Sequence, residues 1–183
     1  MKRKKTGIAV LALAALGLAP AAAADDAAQS RIERGKYLVE TSGCADCHTA
    51  HKLGPNGPEP DETMAYAGHP ESMVLPPAPK LAPGPWLFTG TGTMTAWSGP
   101  WGTSYSANLT PDKETGIGAW TEENFVQALR TGRHMGKGRP ILPPMPLRPL
   151  QKATDEHLKD MYAYFMSLSP IKNKVPAPLP PVQ

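Results

Sequence analysis

The stretch SGCADCHTAHKLGP, residues 42–55, holds both cysteines of the 183-residue chain, Cys44 and Cys47, with His48 directly after the second. Three chemistries use thiols at this spacing: a redox disulfide, a zinc site and covalent attachment of haem. A thioredoxin-like Cys-x-x-Cys belongs beside a βαβ pattern, and no such pattern is legible here. A structural zinc site draws its ligands from two separated pairs, so that closure folds the chain between them. Cys44, Cys47, His48 and His51 make a nominal two-Cys, two-His set, but adjacent Cys47 and His48 would struggle to reach one ion together. Haem attachment fits best, because Cys-x-x-Cys-His is its signature. Each thiol adds to one vinyl group at the porphyrin edge, and the next residue, His48, is forced beneath the iron as the proximal ligand. Both thiols are used and none is left over.

The start of the chain bears on the compartment. Lys2, Arg3, Lys4 and Lys5 are followed by an apolar run from Gly7 to Ala19 and by the small residues Ala22, Ala23 and Ala24. This is the three-part pattern of a secretory signal, with cleavage expected before Asp25. A spanning helix needs about 20 apolar residues, and the run is shorter than that. An alanine- and lysine-rich signal of this style suggests a bacterium, and therefore a periplasm. Four of the 19 basic residues precede Asp25 and none of the 16 acidic ones does, so the remaining chain has a formal charge of −1. The basic balance belongs to the signal and implies no nucleic-acid partner. Membrane contact is expected only through partner proteins.

Glycine and proline number 17 and 22, well above the usual share. Helical patterning is confined to three places: about Ala27 to Thr41, Thr121 to Thr131, and Thr154 to Leu168. The second opens on a threonine cap with Glu122 and Glu123 in its first turn and stops at Gly132. The third caps at Thr154, spaces Leu158, Met161, Tyr162, Phe165 and Leu168 at helical intervals, and stops before Pro170. Between Gly54 and Ala107 nothing is periodic, although Trp86, Trp97 and Trp101 imply that this stretch packs onto something. The end, KNKVPAPLPPVQ, reads as an extended proline-rich tail, disordered or polyproline-like. A covalently bound macrocycle would supply the apolar mass that three short helices lack.

In chain order, an N-terminal helix, CADCH, a methionine in ILPPMPLRPL (141–150) and the terminal helix TDEHLKDMYAYFMSL (154–168) resemble the class I cytochromes c. SANLTPDKETGIGAWTEENFVQALRTGRH (106–134) followed by PPMP is similar, more narrowly, to the cytochrome subunits of bacterial alcohol and aldehyde dehydrogenases. The resemblance implies an all-α fold, with helices around one covalently bound haem c and the first and last helices crossing. Residues 1–24 are the signal, 25–170 the cytochrome domain with an insert at about 56–106, and 171–183 the tail. By the same resemblance Gly35 permits the crossing, with Tyr162 or Phe165 packed against it, and the Pro55 carbonyl receives the ring N–H of His48. Met145, framed by prolines that hold its backbone extended, matches the distal ligand. His134 and Met135 are the other candidates for that position. Met161 and Met166 read as core, and Met64, Met73 and Met94 as packing in the insert. Trp101, Tyr105, Asn108 and Arg133 are candidates to bond the haem propionates or the ligand sulfur, or else are ordinary packing and surface residues.

A histidine–methionine pair favours Fe(II) and leaves the iron no vacant position. The expected function is therefore electron transfer and not catalysis at the iron. A periplasmic dehydrogenase would be the donor, and a cytochrome or terminal oxidase of the respiratory chain the acceptor. A stable dehydrogenase subunit and a haem-based gas sensor are the alternatives. A peroxidase of this type would want a second haem motif, and the chain has one.

Overall fold

The computed structural model describes residues 19–181. Of the expected signal at 1–24, residues 1–18 lie outside them. Among the described residues no helix is long and apolar enough to cross a membrane.

Among the described residues five helices carry the architecture: α1 (Ala19–Thr41), α2 (Cys44–His48), α3 (Glu122–Thr131), α4 (Leu147–Lys152) and α5 (Asp155–Ser167). The sequence signals act where they were expected. At the start of α3 the Thr121 hydroxyl accepts from the Asn124 amide, and the Asn124 side chain accepts from the Thr121 amide. Two N–H groups that a helix start would leave unpaired are thereby satisfied. Gly132 ends the helix in the left-handed region, at φ 65°. Thr154 caps α5 through its hydroxyl alone, which accepts from the His157 amide. Helix α1 begins upstream of the expected Ala27, in an alanine-rich run of high helix propensity.

Helices α1 and α5 cross closely, as the resemblance implies. A Cβ on Gly35 would run into the Asp160 carbonyl and press on Cβ of Tyr164. The side chain facing this glycine is therefore Tyr164, four residues beyond Asp160 on the same face, and not the expected Tyr162 or Phe165. Those two turn inward onto Phe125, with ring centroids 5.6 and 5.9 Å away. Phe165, Leu158 and Met161 of α5, Val39 of α1, and Phe125, Val126 and Leu129 of α3 form one core with Tyr66. A buried carboxylate ties the same crossing: Asp160 accepts from Arg31 Nε at 3.1 Å and Arg34 Nε at 2.8 Å. Arg31 also reaches Glu122 of α3 at 2.7 Å.

The fold is not all-α. Residues 51–105 contain a hairpin, β1 (His51–Gly54) with β2 (Gly57–Pro60), and a three-stranded antiparallel sheet of β3 (Thr89–Gly90), β4 (Ala96–Gly99) and β5 (Gly102–Tyr105). Each strand has two to four residues, too few for alternation to show in the sequence. Gly102, at φ 93°, makes the β4–β5 turn, where Ser98 pairs with Thr103 and Ala96 with Tyr105. Trp97 is buried in this sheet, whereas Trp86 stays exposed.

The tail is extended, as expected, but it is fastened and not loose. Thr103 and Leu179 exchange backbone hydrogen bonds at 3.0 and 2.9 Å, which lays the tail along β5. Asn173 is buried, donates to the carbonyls of Ala67 (2.7 Å) and His69 (2.9 Å), and accepts from the Glu71 amide (2.8 Å).

Candidate haem site

Gly43, left-handed at φ 67°, breaks the chain out of α1 and starts α2, the single turn that carries CADCH. Cys44 and Cys47 are free thiols, both partly buried, and Cys44 lies against the core cluster. His48 ends the turn, buried. Its position is fixed twice. The Gly68 amide donates to its carbonyl at 2.8 Å, and its ring Nδ1 lies 2.8 Å from the carbonyl oxygen of Ala107. A carbonyl can only accept, so Nδ1 carries the hydrogen and Nε2 keeps its lone pair. The acceptor is Ala107, not the expected Pro55. Pro55 sits in the turn between β1 and β2, whereas Ala107 leaves β5 alongside the haem-motif histidine. No residue type marks a backbone acceptor, so sequence reasoning had no signal for it.

The surroundings of the two thiols do not favour a dithiol redox site. Burial pushes the Cys44 thiol up to about 11, and burial together with Asp46 raises Cys47. A dithiol redox site needs the opposite, a thiolate stabilised near neutrality. Among the described residues no three His, Cys, Asp or Glu side chains are grouped to hold a metal ion. The four-residue zinc set is therefore not assembled, and Nδ1 of His51 is buried without a hydrogen-bond partner. A histidine with Nδ1 bonded to a carbonyl and Nε2 free is the donor that a haem iron takes.

Met145 is partly buried and packs against the same core cluster as Cys44. The segment that carries it is pinned by Ser104 of β5, whose hydroxyl donates to the Pro143 carbonyl at 2.6 Å. His134 stands edge-on to Trp120, ring centroids 4.9 Å apart, and Met135 takes a left-handed φ of 52° in an adjoining 3₁₀ turn. Of the residues considered for propionates, Asn108 is committed elsewhere. It is buried, donates to Ile171 O at 2.8 Å, and accepts from both the amide and the hydroxyl of Thr110. Trp101 Nε1 donates to Ser104 (3.3 Å), Arg133 to the Gly138 carbonyl (3.0 Å), and the Tyr105 ring lies on buried His69.

No family model matches the chain. Curated relatives do. The cytochrome c subunit of the quinone alcohol dehydrogenase of Gluconobacter oxydans is 34% identical over 85% of this chain and 26% of its own length. The gluconate 2-dehydrogenase cytochrome c subunit of Pantoea cypripedii is 33% identical over 86% of this chain and 28% of its own length. The fructose dehydrogenase cytochrome subunit of Gluconobacter japonicus is 35% identical over 74% and 21%. The chain thus spans about a quarter of the length of these relatives. It is a homologue of the cytochrome c subunits of bacterial alcohol, gluconate and fructose dehydrogenases, and the cofactor that goes with this kinship is covalently bound haem c with its iron.

Proposed function

We propose that this protein is a periplasmic, single-haem electron carrier of the class I cytochrome c type, taking electrons from a dehydrogenase and passing them to a respiratory cytochrome or terminal oxidase. Cys44 and Cys47 would hold the haem through thioethers, and His48 Nε2 and Met145 Sδ would ligate its iron. The observation that carries this reading is the His48–Ala107 hydrogen bond, which fixes the tautomer an iron ligand requires at the end of CADCH. The iron supplies a one-electron couple between its two valences. The chain's own residues would hold those ligands still, His48 through the Ala107 carbonyl and the Met145 segment through Ser104, so that little would reorganise when an electron arrives or leaves. Two protein ligands leave no vacancy for a substrate.

Stable membership of a dehydrogenase complex is the second reading. It is favoured by exposed Val74, Trp86, Leu87 and Phe88 in a stretch, residues 72–111, whose one charged residue is Lys80. Apolar and aromatic surface of this kind anchors interfaces.

The visible spectrum of the exported protein tests the assignment, with and without Met145→Ala. Wild type should show a low-spin haem that acid extraction does not remove, together with the weak far-red band of a methionine-ligated ferric iron. Met145→Ala should keep the covalent haem and lose that band. Extractable pigment in wild type would refute thioether attachment, and an unchanged band in the variant would refute the distal ligand.

A further inference from the structure

Strand β5 and its exit bond the His48 ring and the segment that carries Met145, the two proposed iron ligands. Ala107 receives the His48 ring N–H, and three residues earlier Ser104 bonds the segment that carries Met145. We infer that Ser104 is a positioning residue for the distal ligand, holding Met145 on the iron through the carbonyl of Pro143. The inference rests on Met145 being that ligand.

The geometry is that of a directed relay. Ser104 is buried, and its single hydroxyl hydrogen has two acceptors in reach, Pro143 O at 2.6 Å and Trp97 O at 3.4 Å. The short contact takes the hydrogen. Trp101 Nε1, which can only donate, is 3.3 Å from the Ser104 hydroxyl oxygen and so aims the hydroxyl hydrogen away from itself. A chain of bonds polarised in one direction is stronger than its separate links.

The segment needs this fastening. Residues 143, 144 and 146 are prolines without amide hydrogens, so they cannot be held through donors of their own. Upstream, the Ile141 amide is tied to the Gly132 carbonyl at 2.8 Å, and downstream the Leu147 amide turns back to Met145 O at 2.9 Å. Among the described residues the Ser104 bond is the one side-chain hydrogen bond made to residues 141–146. Prolines narrow the shapes the segment can take, and Ser104 fixes where that shape sits.

A neutral hydrogen bond has a net worth of about 1 kcal/mol, a factor of about five. In Ser104→Ala the population with Met145 off the iron should rise by about that factor. The haem-loaded protein reads this in two ways: imidazole added to the ferric form should bind about five-fold more tightly, and the far-red band should be titrated away at about five-fold lower imidazole. Ser104→Thr, which keeps the hydroxyl, should restore both. Trp101→Phe, which removes only the aiming donor, should move both in the same direction by less, and it serves as the probe if Ser104→Ala does not accumulate with haem. An unchanged imidazole affinity in Ser104→Ala, or in Trp101→Phe where only that variant is obtained, would overturn the inference, provided Met145→Ala abolishes the band. A band that survives Met145→Ala would overturn the ligand assignment itself. The two failures are thus distinct.

Discussion

The ring Nδ1 of His48 lies 2.8 Å from the carbonyl oxygen of Ala107, 59 residues further along the chain. Gly68 sits between the two segments of this contact. Its amide donates to His48 O, its φ is +78°, and a Cβ on it would collide with the Ser106 carbonyl and the Ala107 peptide. Gly68→Ala should therefore displace the very acceptor that holds the imidazole. The left-handed backbone alone costs about 1–2 kcal/mol for an L-residue, and the overlap adds about 1–3 kcal/mol. A histidine that loses its carbonyl becomes a less basic ligand, so the reduction potential of the haem-loaded variant should rise while its denaturation midpoint falls. A destabilised variant with an unaltered potential would show that this bond does not tune the ligand.

His69 is buried with both ring nitrogens engaged. Nε2 donates to the Met73 carbonyl at 3.1 Å, and Nδ1 accepts from the Thr95 hydroxyl at 2.9 Å. Burial pushes its pKa below the ordinary histidine value, with the Met73 carbonyl opposing. The unfolded chain takes up this proton as pH falls through about 6.5, before the folded one does. Below that value the unfolded state binds more protons, so stability must fall as pH falls, by at most about 1.4 kcal/mol per unit for this one group. Urea midpoints measured between about pH 7.5 and pH 5.5, spanning that value, should decline in wild type and decline less in His69→Gln. Equal slopes would remove His69 as a source.

Some of this was legible beforehand and some could not be. The caps at Thr121 and Thr154, the stop at Gly132 and the crossing at Gly35 are written in residues whose chemistry acts within a few positions, or whose lack of a Cβ has one use. CADCH is legible for the same reason. The strands escape because two to four residues, interrupted by glycine and proline, leave no period to read. Ala107 escapes because its peptide oxygen does the work and its side chain says nothing. Asn173 escapes because every group it bonds in the 67–71 segment lies about a hundred residues away in sequence, and a proline-rich end is ordinarily a sign of looseness.

Asp160 is 1% exposed, and Arg31 and Arg34 are its partners at 40% and 48%. Removing one partner of a fully buried pair costs about 3–5 kcal/mol. Here both guanidinium groups keep access to water, so the cost should fall at or below the lower end of that range. Asp160→Asn should lower the denaturation midpoint accordingly and leave the visible spectrum untouched, because the triad of α1, α3 and α5 makes no hydrogen bond to the haem-motif residues. A variant as stable as wild type would show that the α1–α5 crossing is held by its packing alone.

Asn173 makes the tail part of the fold. Its amide hydrogens satisfy Ala67 O and His69 O, and its carbonyl oxygen satisfies the Glu71 amide. Asn173→Ala strands three backbone groups in a region where water must enter to replace the lost side chain. With each buried unsatisfied group costing about 1–3 kcal/mol, a loss of at least about 2 kcal/mol is expected. Ala177→Ser, at an exposed position of the same tail, should cost nothing measurable. Because the Ala67–Glu71 segment includes Gly68, which bonds the His48 carbonyl, loosening it should also shift the reduction potential in the direction of Gly68→Ala, though by less. Thermal and electrochemical measurements on the haem-loaded variants check both expectations. If Asn173→Ala melted with wild type, the tail would lie along the domain without supporting it.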